Sequence, residues 1–178
     1  MSELRIYAED RPEDVEVLTD GEAIAERLRG VGVRFERWTA DREIGPDATQ
    51  DEVLAAYAEQ VERIKAEDGF KQVDVIAMKP DHPQKGELRQ KFLSEHTHTE
   101  FEVRFFVEGQ GLFYIHAEGM VFGALCTRGD LISVPANTPH WFDMGDAPAF
   151  KCIRFFIEPA GWVAHYTGAD IAETFPRL

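Results

Sequence analysis

His96 and His98 stand one residue apart, and Glu102 follows four residues later, in the run His96-Thr97-His98-Thr99-Glu100-Phe101-Glu102. That spacing constrains the fold. Along a strand side chains alternate faces, so both imidazoles point the same way. In a helix, residues two apart do not face each other. Glu102 shares the parity of the two histidines. At ~3.3 Å per residue, however, a flat strand would hold it roughly 13 Å from His98 and roughly 20 Å from His96. Bonds to a metal are only about 2 Å long. For the three to meet, the chain must bend or bulge near Thr99-Glu100, which leaves Glu102 and Arg104 on one inward face beyond the bend. A further imidazole, His140, closes the run Val134-Pro135-Ala136-Asn137-Thr138-Pro139-His140. Three neutral nitrogens and one anionic oxygen suit a divalent transition metal such as Fe, Ni, Mn or Zn.

A single histidine is more often structural than a ligand, and three of the six read that way. His82 sits in a polar segment, His116 ends a strand, and His165 lies in the C-terminal tail. Glu95, which has the wrong parity for the metal, and Glu100, at the bend, read as solvated charges.

Composition narrows the partners. The chain has 178 residues, enough for one domain with a sizeable core. Its net charge of −14 comes without a basic stripe, which argues against nucleic acid and against anionic membrane surfaces. The start, Met1-Ser2-Glu3-Leu4-Arg5-Ile6, lacks a basic region followed by an apolar run, and no stretch is long enough to span a bilayer. The expectation is a cytoplasmic protein, a monomer on its charge, with Cys126 and Cys152 as buried thiols and no need of a disulfide.

The N-terminal part, 1–69, reads as mixed. Arg5–Tyr7 and Val31–Phe35 alternate as short strands. Asp20 can cap a helix from about Gly21 to Arg29. The clearest helix spans Thr49–Glu67: Thr49 and Glu52 form a capping box, Val53, Leu54, Tyr57, Val61 and Ile64 make one apolar stripe, and Gly69 ends it. From Phe70 the pattern becomes short strands. Phe70–Lys79 is one, and Val103–Val107 with Leu112–His116 reads as a hairpin around Glu108-Gly109-Gln110-Gly111. Val121–Cys126, Leu131–Val134, Trp141–Met144 and Ala149–Ile157 follow. Many short strands with Gly and Pro turns imply a sandwich or small barrel over 70–160, with 161–178 as a tail and no linker that would split 1–178.

These motifs resemble the cupins. His96, His98, Glu102 and Gly109 are similar to the first cupin motif; Gly129, Pro135 and His140 are similar to the second. Three positions depart from the pattern. The glycine usual before the first His is displaced, and Asn137 and Met144 replace the usual Gly and Asn. The longer run from His96 to Gly109 resembles the acireductone dioxygenase family more narrowly, as do the segments Val33–Trp38 and Gly129–Phe142, and the likeness covers nearly the whole chain. It implies a mainly β fold with N-terminal α-helices, a cupin-type β-barrel (double-stranded β-helix, or jelly roll). It also implies one Fe(II) or Ni(II) held by His96, His98, Glu102 and His140. The implied substrates are O2 and the enediol acireductone, 1,2-dihydroxy-3-keto-5-(methylthio)pentene, of methionine salvage. The iron form would yield formate and 4-methylthio-2-oxobutanoate, and the nickel form formate, carbon monoxide and 3-(methylthio)propanoate.

Two positions beside the ligands follow from parity and charge. Arg104 faces inward with Glu102, and its permanent charge suits it to stabilise developing negative charge; a structural ion pair is the alternative. Phe142 shares the parity of His140 and suits the apolar methylthio tail, with Phe92, Phe105, Arg154 and Trp162 as further substrate-binding candidates and core packing as their alternative. Two other functions compete: a cupin oxygenase or isomerase acting on a different enediol, and a non-enzymatic cupin that binds a small ligand. A sensor usually carries an output segment such as a basic helix-turn-helix, and none is visible.

Overall fold

A computed structural model describes residues 1–178. The first elements are strands β1 (Glu3–Ala8) and β2 (Arg11–Leu18), helix α1 (Gly21–Arg29) and strand β3 (Arg34–Arg37). Asp20 caps α1 by accepting the Ala23 N–H at 2.9 Å, as its position predicts. Strand β2 escaped the sequence reading because its burial pattern is nearly all exposed. The long helix expected over Thr49–Glu67 is two helices, α2 (Gln50–Ala56) and α3 (Ala58–Asp68), broken at Tyr57. The capping box of Thr49 and Glu52 is present, and Gly69 ends α3 in the left-handed conformation. The fully buried Tyr57 ring packs edge-on against Phe105, with centroids 5.3 Å apart, so the break turns the apolar stripe along the sheet.

Strand β4 (Gln72–Met78), helix α4 (Lys85–Leu93), the two-residue strand β5 (His96–Thr97) and β6 (Glu102–Ala117) follow. Helix α4 buries only Leu93, so its sequence carries almost no apolar stripe, and it was missed. The remaining strands are β7 (Met120–Thr127), β8 (Asp130–Val134), β9 (His140–Asp143), β10 (Phe150–Phe156) and β11 (His165–Tyr166).

The expected hairpin inside 103–116 is instead the single sixteen-residue strand β6. Its first half pairs with β8 and β10, its second half with β7 and β9. Gly109 takes φ +71°, and the register against β10 slips between Lys151 and Cys152. The Gly-rich stretch is therefore a bulge that carries the strand from one sheet into the other, not a reversal. It also changes the phase: even residues up to Phe106 face the core, whereas Phe113 and Ile115 face it afterwards.

One sheet runs β11-β5-β9-β6-β7-β1-β2, and the other runs β4-β10-β6-β8-β3. The ladder does not close; β11, β2, β4 and β3 are its edges. The main core lies between the sheets and includes Phe106, Phe113, Phe122, Phe142 and Phe150. A second core joins the outer face of the β10 sheet to α2 and α3. A third joins Tyr114 and Trp141 to Phe175 of the C-terminal tail. Cys126 and Cys152 are buried free thiols in the main core, and burial pushes Cys152 up to about 12. No helix is long and apolar enough to cross a membrane.

Candidate metal centre

The bend demanded by ligand spacing is real. The strand stops after Thr97, the backbone turns through Thr99-Glu100, and β6 starts at Glu102. His96 lies directly opposite His140 in the β5–β9 ladder, and Glu102 opposite Val134 at the start of the loop that ends in His140. That loop is tied to the first motif by the Asn137 N–H, which donates to the His98 carbonyl at 2.7 Å. Asn137 takes φ +59°, which explains why an asparagine can stand at a position where the cupin motif favours glycine.

His96, His98, Glu102 and His140 are all buried, and one ligand atom of each lies within 4.8 Å of the others. The His98 and His140 Nε2 atoms each stand 2.9 Å from Glu102 Oε2. The outward nitrogens are all occupied: Nδ1 of His96 meets the Ser94 carbonyl at 2.7 Å, that of His140 the Thr138 carbonyl at 2.8 Å, and that of His98 the Val163 carbonyl at 3.1 Å. A carbonyl can only accept, so each Nδ1 donates outward and each Nε2 is the nitrogen that turns inward, where it would serve as a ligand once free of its own proton. These three carbonyls were invisible to sequence reading because any residue supplies one.

Burial drives His96 down to about 4, leaving it neutral at ordinary pH. Burial disfavours the charge on Glu102, but Arg104, His140 and His98 outweigh it and hold the carboxyl well below the usual range. Burial would likewise lower His98; the hydrogen bond and charge of Glu102 raise it instead. Three imidazoles around a committed carboxylate, with no thiolate among them, fit one divalent cation of intermediate hardness. The fit rests on inward-turned donors that have no other partner than each other.

Arg104 donates from Nε to Glu102 Oε1 at 2.9 Å. Its buried Nη1 has no partner, and its guanidinium lies over the rings of Phe142 (4.8 Å) and Trp162 (5.8 Å). A cavity of about 210 Å³ opens on this group; Phe92, Phe142, Arg154 and Trp162 line it together with Ile76 and Tyr166. Trp162 stacks on His98 at 5.9 Å, and its indole Nε1 is also buried without a partner. Arg154 is committed to Asp74 through a two-pronged ion pair of 2.8 and 2.6 Å.

Phe105 does not reach the cavity. It has the parity of Val103, opposite to Arg104, and packs on Trp38 and Tyr57 beneath the helices. Glu95 and Glu100 are not solvated charges either. Glu95 is 4% exposed and holds His116 Nδ1 at 2.7 Å and the Thr167 hydroxyl at 2.8 Å. Glu100 accepts the backbone N–H groups of Ile157 and Glu158. Glu95 is out of phase with the ligands; Glu100 shares their parity, but it sits in the bend at Thr99-Glu100, which turns it toward Ile157 and Glu158 instead. Lys91 and Ala164 also line the cavity without any sequence signal.

A family profile described as the ARD/ARD' family matches residues 3–164. The chain is similar to the acireductone dioxygenase of Methylococcus capsulatus, 58% identical over 178 residues, covering 100% of this chain and 96% of the relative. It is 57% identical over 179 residues to that of Pseudomonas aeruginosa, covering 100% and 99%. Among solved structures it resembles an acireductone dioxygenase from Bacillus anthracis with a cadmium ion in its active center. That match has a TM-score of 0.82 and 32% identity, and covers 93% of this chain and 98% of that one. With the cupin-like pair of sheets and the four converging ligands in place, the chain belongs to the ARD/ARD' family.

Proposed function

We propose that this chain is an acireductone dioxygenase that cleaves 1,2-dihydroxy-3-keto-5-(methylthio)pentene with O2, using one Fe(II) or Ni(II) held by His96, His98, Glu102 and His140. The convergence of those four ligand atoms within 4.8 Å carries the reading. When bound, the cation supplies Lewis acidity that favours the ionised enediol, the form that reacts readily with oxygen.

The residues around it do the rest. Arg104 spends Nε on Glu102 and leaves the orphaned Nη1 for the negative charge of the enediolate. A buried N–H without an acceptor is costly, so a substrate oxygen that meets it gains in proportion. The Trp162 indole offers a second such donor across the same cavity. Phe92 and Phe142, whose rings meet at 6.2 Å, provide apolar wall for the methylthio end. Arg154 shapes the cavity while neutralising Asp74, and its guanidinium lies 5.2 Å from the Trp162 ring.

The net charge of −14 supports a monomer, and the two buried free thiols suit the reducing cytoplasm. The function is tested by elemental analysis of the purified protein paired with product analysis after acireductone and air are added. An iron preparation should give formate and 4-methylthio-2-oxobutanoate; a nickel preparation should release carbon monoxide with 3-(methylthio)propanoate. A fully metallated preparation that consumes no oxygen with acireductone would refute the reading.

A further inference from the structure

Glu100 sits in the bend, two residues after His98 and two before Glu102. Its carboxylate spans to a different part of the chain: Oε2 accepts the Ile157 N–H at 3.0 Å and Oε1 the Glu158 N–H at 2.7 Å. The side chain then passes close to Gly161 in the 3₁₀ turn Pro159–Trp162. A Cβ added to Gly161 would fall 2.3 Å from Glu100 Cγ, so only glycine lets the two segments approach this closely. No cation pairs with this carboxylate within ion-pair distance; its two partners are backbone donors at the head of the turn.

The turn delivers two groups to the metal centre. Trp162 lays its indole against His98 and near the Arg104 guanidinium. The next residue, Val163, gives the carbonyl that holds the His98 Nδ1 proton. Farther on, Glu95 takes the Thr167 hydroxyl at 2.8 Å, and the Glu95 carbonyl takes the Thr167 N–H at 3.1 Å. Two carboxylates that flank the histidine pair thus anchor both ends of the segment 157–167.

We propose that Glu100 is a positioning residue for the reaction: it fixes the segment Ile157–Val163, and through it the orientation of His98 and the Trp162 wall of the cavity. The proposal rests on the dioxygenase reading for its kinetic consequence only. Groups that orient a metal's ligands typically contribute about 10- to 100-fold in affinity or activity.

The test compares Glu100→Ala and Glu100→Gln with the parent holoenzyme by amide hydrogen exchange, elemental analysis and steady-state kinetics. In Glu100→Ala the Ile157 and Glu158 amides should exchange at least about tenfold faster, and KM for acireductone should rise about tenfold. The amides of Cys152 to Phe155 in β10 should keep their protection, and metal content should hold. Glu100→Gln retains one acceptor oxygen and should recover part of both effects. Parent-like exchange at Ile157 and Glu158 in either variant overturns the proposal. So does a loss of protection that extends equally through β10, which would mark a general structural role. If Glu100→Ala fails to fold, Glu100→Gln decides. A parent enzyme inert toward acireductone would count against the function, and exchange alone would then decide the positioning.

Discussion

Arg104 joins the two halves of the site. One nitrogen steadies a ligand carboxylate while another is buried with nothing to bind. A core arginine used only for structure would have its donors satisfied. Replacing Arg104 with Ala should lower kcat about 10²- to 10³-fold, the usual loss when a donor to developing charge is removed. Metal content should survive, since the four ligands remain. Oxygen uptake with elemental analysis reads both, and normal turnover in the variant would dismiss the role. The alternation of faces identified this residue from sequence, since Glu102 and Arg104 share parity. The same rule, applied to Phe105, places it on the helix side, where the structure has it packed against Tyr57. Size and aromaticity alone had nominated it for the pocket.

Strand β6 shows what a local pattern hides at the level of elements. Glycines at 109 and 111 between two alternating runs have the look of a hairpin turn, and a bulge has the same composition. What separates them is the partner: β10 runs alongside the glycines, and the Gly109 Cα faces Ala149 so closely that an added Cβ would fall 1.8 Å from the Ala149 carbonyl oxygen. Gly109→Ala combines that clash with a positive φ and should destabilise the protein by more than about 2 kcal/mol. The midpoint of urea unfolding measures it, and an unchanged midpoint would mean the strand is not pinned there. The element also explains why the site works, since the bulge re-phases one strand. Glu102 and Arg104 can then face the cavity from one sheet, and Phe113 can pack against Phe142 from the other.

Across the whole molecule, His116 links three separate segments. Its ring reaches Glu9 in the turn between β1 and β2 and Glu95 beside the ligand strand, both at 2.7 Å. Burial would lower its pKa, but the two carboxylates prevail and raise it. A histidine with a raised folded pKa lends stability that is full below its unfolded value of about 6.5 and fades as pH climbs through the folded value. The stability advantage over a His116→Asn variant should therefore be largest below about pH 6.5 and shrink above it. Urea midpoints across pH test this; an advantage that grows with pH would contradict it.

Spacing and residue chemistry determined by themselves the ligand set, the bend, the inward pair Glu102 and Arg104, the caps of α1 and α2 and the mainly β character. Each follows from covalent geometry acting over a few residues, through a period of two or a cap at a fixed offset. Tertiary structure alone decided that β6 is continuous, that α2 and α3 are separate, and that Ser94, Thr138 and Val163 set the imidazole tautomers. It also decided that Glu95 and Glu100 grip the C-terminal segment. Most of those outcomes depend on contacts between residues far apart in the chain, and the Ser94 and Thr138 carbonyls, though two residues from their histidines, are aimed by a backbone course that the fold sets; a carbonyl or a carboxylate gives no periodic signal of the partner it will meet.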